Sequence, residues 1–323
     1  MGLVDLAEIA PLFVCPRCGC RLVEGRDGFR CSSDSCPLTA PGSFPLANGW
    51  PALVDFEGSI LEPADLQGST IGAGGNLSRW SIDRLPRRLR SWWKPRNRVA
   101  AINVETMLGL LPQPEPSILV VGGGTLGNGV EAIYTDSRTR VVAFDIYGSP
   151  LVQFIADAHQ IPLARESVDA VLVQAVLEHV LAPEQVVGEI HRVLRPNGLV
   201  YAETPFLQQV HAGPYDFTRY TSSGHRYLFR AFEEIAAGPV AGPGAQMLSS
   251  LDHLVRGLLR SELAGKLARA LFFWIRYLDR LVPTAFAMDN ASAYYFLGRR
   301  AERELSPAEI VGDYRGAQRS AGG

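Results

Sequence analysis

Residues 118–121 form an apolar run, ILVV, that stops at a glycine cluster, GGGTLGNG. A short helical stretch follows, then a second apolar run, VVAFD, that ends on Asp145. Strand, glycine turn, helix and strand in this order open a doubly wound α/β sheet, where glycines let the backbone turn sharply and a ligand approach. Further on, residues 251–282 keep apolar positions at helical spacing with arginines on the other face, which predicts a long amphipathic helix or helix pair. Such an element could lid a site, form a dimer face or lie on a membrane surface. Residues 292–300, SAYYFLGRR, supply another apolar run. The stretch 303–323 predicts a flexible tail.

Bulk numbers narrow the class. The 323 residues leave room for one large domain and a small one. A hydrophobic share of 47% with 20% charged residues is that of a globular protein. The net charge of −2 predicts no general attraction to nucleic acid or anionic membranes, although local basic patches remain compatible with it. The N-terminus carries no basic residue ahead of its short apolar run, so it does not read as a secretory signal. Leu6 stands where a myristoylation motif needs a hydroxyl. The apolar region at 270–275 is too short to span a bilayer. These features predict a cytoplasmic protein.

All five cysteines lie between Cys15 and Cys36. Two residues separate Cys15 from Cys18, four separate Cys31 from Cys36, and a twelve-residue spacer joins the pairs. Thiolate pairs at such spacing form knuckles around a tetrahedral Zn²⁺. Disulfides are disfavoured without a secretory signal. The predicted ligands are therefore Cys15, Cys18, Cys31 and Cys36, with Cys20 left over as a possible substitute for Cys18. Four thiolates leave no open coordination position, so the metal is expected to be structural. The segment resembles small zinc-ribbon proteins that accompany methyltransferases, which share a phrase like that from Gly49 to Leu53.

Between 57 and 75 the composition turns to Gly, Ser and Pro, a boundary signal. Residues 79–98 then hold eight basic residues, one acid and three tryptophans. Basic residues interleaved with aromatics can bind single-stranded nucleic acid. A helix with buried Trp and solvated Arg explains the same pattern.

The glycine loop by itself suits NAD, FAD or S-adenosylmethionine. Downstream, residues 154–206 carry ADAHQIPL, VDAVLVQAVLEHV and EIHRVLRPNGLVYAE in order. With these motifs, residues 118–206 strongly resemble the class I S-adenosylmethionine-dependent methyltransferases of the methyltransferase-11-like group. The resemblance implies a Rossmann-like α/β fold with 168–174 as the fourth strand and 292–300 within the last, antiparallel strand. It implies Gly122, Gly123, Gly124 and Gly127 at the cofactor, Asp145 on the ribose, Asp157 with Ala158 at the adenine, and Gln174 at the end of the fourth strand. Leu126 departs from the family, which has glycine there. The chemistry agrees, because the loop carries no basic residue for a phosphate and two acids suit a cationic sulfonium.

Residues 205–221 resemble a phrase found in methyltransferases of bacterial glycan and secondary-metabolite pathways. They leave the sheet at the carboxyl ends of its strands, where ligands bind, and bring His211, Asp216, Arg219, Tyr220 and the nearby His225 into one region. A neutral histidine is a natural base near pH 7. His211 is the candidate base, with Asp216 orienting it or binding acceptor hydroxyls. An Asp216–Arg219 pair that merely staples the loop is the alternative.

The expected organisation is a zinc ribbon at 1–57, linker and helices at 58–112, and a methyltransferase domain at 113–302 with a helical insertion near 207–290. The expected function is methyl transfer from S-adenosylmethionine to oxygen or nitrogen of a small-molecule or glycan acceptor. An RNA methyltransferase reading through the ribbon, and a non-catalytic cofactor-binding adaptor, are the other classes. Peripheral membrane contact and oligomeric state stay open.

Overall fold

The computed structural model describes residues 2–66 and 96–318. The basic, tryptophan-rich stretch lies outside the described residues up to residue 95.

A seven-stranded sheet organises the chain. Its strands are β5 (Ser117–Val121), β6 (Arg140–Asp145), β7 (Phe154–Ile155), β8 (Val168–Gln174), β9 (Leu194–Pro205), β10 (Phe232–Ala241) and β11 (Ala293–Arg300). In space they run β10-β11-β9-β8-β5-β6-β7. The five from β5 to β9 are mutually parallel, and β11 lies antiparallel between β9 and β10. This is a mixed, Rossmann-like α/β sheet covered on both faces. Ile118 and Val120 pack with Ala100, Val104 and Met107 of the helix Arg98–Leu110. Leu119 and Val121 belong to the opposite layer, with Val186 and Ile190 of the helix Pro183–Val193. A strand buried on both faces reads as a continuous apolar run rather than an alternation.

The cysteine segment forms a second, four-stranded antiparallel sheet of β1 (Leu22–Gly25), β2 (Gly28–Cys31), β3 (Phe44–Ala47) and β4 (Trp50–Pro51). It packs directly on the large sheet. Phe13 meets Phe29 and Phe154 edge to face at 5.4 and 5.1 Å. Ala52 bridges Ile155 in parallel, and the Leu53 N–H donates to the Ile155 carbonyl at 2.8 Å. The chain leaving the cysteines thus covers the edge strand β7, and one apolar cluster holds Cys15, Cys31, Phe144 and Phe154 together.

Three expectations change. The stretch 207–290 is not wholly helical, because β10 lies inside it. Its sequence, FEEIAAGPVA, has small residues and two glutamates in place of an apolar alternation, and pairing with β11 supplies what propensity does not. The predicted amphipathic element begins earlier and breaks into helices Pro243–Leu259 and Glu262–Leu271, with Arg260 left-handed between them and a 3₁₀ stretch Phe273–Arg280 after. The tail to residue 318 is not a free end either. Ser306 and Glu309 form a capping box that starts the helix Pro307–Gly312, and Ile310 is buried. Among the described residues, no helix is long and apolar enough to cross a membrane.

Candidate functional site

At the carboxyl ends of the parallel strands opens a cavity of about 620 Å³, within the range of small-ligand sites. Gly122, Gly127, Asp145, Asp157, Ala158, Gln174 and His211 line it, so the fold brings most of the predicted residues together. Gly123, Gly124 and Asp216 stand behind the wall.

The glycine loop is shaped by contacts that exclude side chains. Gly122 has φ +72°, and a Cβ on Gly127 would fall 2.1 Å from Gln174 Oε1. Gly124 donates its N–H to Asp145 Oδ2 at 2.8 Å, and Ile146 donates to Oδ1 at 2.7 Å. Burial outweighs these bonds and raises the Asp145 pKa above the usual carboxylate range. No cationic side chain pairs with Asp145 among the described residues, which leaves acceptor capacity for a ligand's hydroxyls.

Asp157 follows β7 and caps the turn Ala158–His159–Gln160. Burial would raise its pKa, but bonds from His159 and from the Ser59 hydroxyl prevail and lower it. The His159 Nδ1–H donates to Asp157 at 2.6 Å while its Nε2 accepts the Ala182 N–H at 3.1 Å, which fixes a neutral tautomer. Gln174 donates to Glu203 at 2.7 Å and to the Asn128 carbonyl at 3.2 Å.

Glu203, Glu178 and His179 are among the acidic and basic groups in this cavity that were not singled out from the sequence. Glu203 ends the apolar part of β9 and accepts from Asn97 at 3.0 Å, Gln174 and the Tyr201 hydroxyl at 2.5 Å. An acid closing an apolar strand is the signal that marked Asp145, and VYAET carries it too. Glu178 and His179 sit in the LEH that follows β8. Glu178 is 1% exposed, neither carboxylate oxygen has a hydrogen-bond partner, and burial pushes its pKa up to about 7.

His211 faces Glu178. Its Nε2 lies 3.7 Å from Glu178 Oε1, as does Nε2 of His179, and the two imidazoles meet edge to face at 4.9 Å. Asp216 lies behind His211, accepting its backbone N–H at 2.9 Å with Nδ1 at 3.5 Å. The same carboxylate grips Arg219, whose Nη2 donates at 2.7 Å. Asp216 therefore staples the loop and touches His211 at once. His225 is elsewhere: it is buried among Phe229 and Phe296, away from the cavity.

In the cysteine sheet the sulfurs of Cys15, Cys18, Cys31 and Cys36 all lie within 4.8 Å of one another, with Cys15–Cys36 at 3.8 Å and Cys18–Cys31 at 3.4 Å. Tetrahedral sulfurs about 2.3 Å from one Zn²⁺ stand about 3.8 Å apart, so the four fit such an ion. Cys20 is outside the group.

With this geometry in hand, comparison with known proteins is direct. Residues 120–202 match the family described as a methyltransferase domain. The match runs from the end of β5 through most of β9 and so contains the glycine loop, both aspartates and Glu178. No curated protein matches the chain. Among solved structures, the [4+2]-cyclase SpnF is 15% identical, covering 64% of this chain and 80% of its own with a TM-score of 0.42. The 1,6-didemethyltoxoflavin-N1-methyltransferase of Burkholderia thailandensis is 16% identical over 67% of this chain and 83% of its own, at 0.40. Phosphoethanolamine N-methyltransferase 2 of Haemonchus contortus is 14% identical over 62% and 53%, at 0.41. The matched residues 120–202 lie in the part of the large sheet that carries the cavity.

Proposed function

We propose that the protein transfers a methyl group from S-adenosylmethionine to oxygen or nitrogen of a small-molecule or glycan acceptor. One observation carries the choice of cofactor. Asp65, Asp145, Asp157, Glu178 and Glu203 line the cavity, and no lysine or arginine does among the described residues. A dinucleotide brings a pyrophosphate that such walls repel, whereas a sulfonium is a cation they attract. Asp145 would hold the ribose diol, Asp157 with Ala158 the adenine, and the N–H groups of the glycine loop the cofactor's carboxylate. S-adenosylmethionine brings an activated methyl, so the protein's task is to align an acceptor and manage its proton.

The acceptor end would lie at Glu178, His179 and His211. His211 is the proposed base, since the Asp216 contact at Nδ1 turns the Nε2 lone pair toward the cavity. The four clustered cysteines would hold one structural Zn²⁺. Calorimetry with S-adenosylmethionine and NAD, followed by a screen for S-adenosylhomocysteine release over glycan and small-molecule pools, tests the reading. Binding of NAD in preference to S-adenosylmethionine would overturn it.

A further inference from the structure

We propose that Glu178, His179 and His211 form a second metal site, for a single divalent cation of the Mn²⁺, Fe²⁺ or Zn²⁺ type, at the acceptor end of the cavity. Among the described residues, Glu178 is an orphaned carboxylate: it is 1% exposed, and both of its oxygens lack a donor. A buried carboxylate without partners costs free energy unless a cation meets it.

The neighbours cannot meet it as they stand. His179 spends its Nδ1–H on the Tyr215 carbonyl at 2.7 Å. His211 has its Nδ1 beside the Asp216 carboxylate at 3.5 Å and the Gln209 carbonyl at 3.4 Å. In both rings the proton therefore belongs on Nδ1, and Nε2 presents a lone pair. The two Nε2 atoms each lie 3.7 Å from the same oxygen. That distance is too long for a hydrogen bond shared through one proton. It is within a few tenths of an ångström of the ~3.0–3.5 Å between ligands that sit about 2.1 Å from a common ion. Arg219 acts on Glu178 through its charge, but its hydrogen bonds go to Asp216 and to the Gln208 and Thr218 carbonyls.

The arrangement is a two-histidine, one-carboxylate set with its other side open to the cavity, and each histidine is backed by a carbonyl or carboxylate. Such sets bind first-row divalent ions and leave coordination positions free. What the ion would do rests on the transferase reading. An acceptor hydroxyl binding to it loses its proton to water more readily, and the resulting oxyanion takes the methyl carbon as the carbon–sulfur bond breaks and S-adenosylhomocysteine leaves. His211 is then a ligand, and the cation replaces it as the source of acceptor acidity.

The test uses full-length protein with its cysteine site filled by zinc. Mn²⁺ is titrated in and the free-ion electron paramagnetic resonance signal is followed, because a thiolate site does not favour this hard ion. The expected result is loss of free signal equivalent to one Mn²⁺ per chain. Glu178→Gln and His179→Ala should each weaken that binding by roughly tenfold or more, and Asp216→Asn by about 10–100-fold as a supporting group. Absence of Mn²⁺ and Co²⁺ binding would overturn the site, as would binding that Glu178→Gln and His179→Ala leave unchanged. Calorimetry with S-adenosylmethionine on the same samples separates the two readings. Cofactor binding without the cation removes only this site, and cation binding without the cofactor removes only the transferase.

Discussion

Ser59 donates its hydroxyl proton to the carboxylate of Asp157. The bond joins the segment that leaves the cysteine sheet to the cavity wall proposed to hold the adenine. Four residues upstream, Asp55 accepts Arg17 Nε at 2.7 Å and Nη2 at 2.5 Å, and Arg17 lies between Cys15 and Cys18. Asp55 also caps the turn Phe56–Gly58 that delivers Ser59, and Ile60 and Leu61 go on to line the cavity. The cysteine knuckle and the cofactor pocket are thus in one bonded path.

The path changes what metal loss should do. A ribbon independent of the pocket would let Cys31→Ser lose zinc at no cost to the cofactor. With Arg17 and Asp55 between them, removal of the one expected Zn²⁺ should loosen the 55–61 segment and weaken S-adenosylmethionine binding. Ser59→Ala, which keeps the metal, should cost about 1.5–3 kcal/mol, as for a hydrogen bond to a charged group. Elemental analysis beside calorimetry reads both. Full cofactor affinity in metal-free protein would show the path to be mechanically silent.

Among the described residues, Asp145 takes its hydrogen bonds from backbone N–H groups alone. Asp145→Ala should weaken S-adenosylmethionine binding by about 1.5–3 kcal/mol. It also removes the acceptor of the Gly124 and Ile146 N–H groups, so Asp145→Asn is the companion variant that keeps part of that bonding. Equal affinity in wild type and both variants would remove the ribose assignment.

His211 is 41% exposed at its side chain, and its ring meets that of His179 edge to face. His211→Ala should leave the melting temperature nearly unchanged and lower turnover by about 10²–10⁴-fold, without altering cofactor affinity. If His211 acts as a free base, high pH should restore part of the loss. Asp216→Asn should not add fully to it, because the two act together. It should also lower stability, since Asp216 anchors Arg219. A large fall in melting temperature for His211→Ala with full turnover would make it a packing residue.

His225 sets an acid limit on stability. Burial between aromatic rings pushes its pKa down to about 3, and its Nε2 has no partner. An unfolded histidine takes a proton below about 6.5. Between those values the unfolded chain binds more protons than the folded one, so stability falls as pH drops from 6.5 toward 3, by up to about 1.4 kcal/mol per pH unit. His225→Phe keeps the ring packing and removes the titration. Urea midpoints at pH 7 and pH 5 should converge in the variant and differ in wild type.

How much of this was legible in the linear chain depends on the range of the physics. The strand β8 appears in VDAVLVQ, and β6 ends on Asp145 as the apolar run does, because burial on both faces leaves an unbroken hydrophobic signature. The cysteine pairs announce their own clustering through spacing. Strand β10 was hidden, since FEEIAAGPVA has no alternation and becomes a strand only when β11 hydrogen-bonds along it. The capping box at Ser306 and Glu309 is a local signal, readable in SPAE.

By itself, the sequence determined the glycine turn, the two aspartates at consecutive strand ends and the four thiols, because each depends on residues near one another in the chain. Only the tertiary structure decided what meets them. It placed Ser59 on Asp157 across 98 positions, joined the cysteine sheet to the edge of the large one, and set Glu178 and His179 opposite His211. The backbone N–H groups of Phe217 and Thr218 donate to the Glu178 carbonyl, at 2.8 and 3.3 Å, and this folds the acceptor loop back over the end of β8. A long-range hydrogen bond leaves no periodicity in the sequence, and burial of Glu178 follows from that closure rather than from any pattern around it.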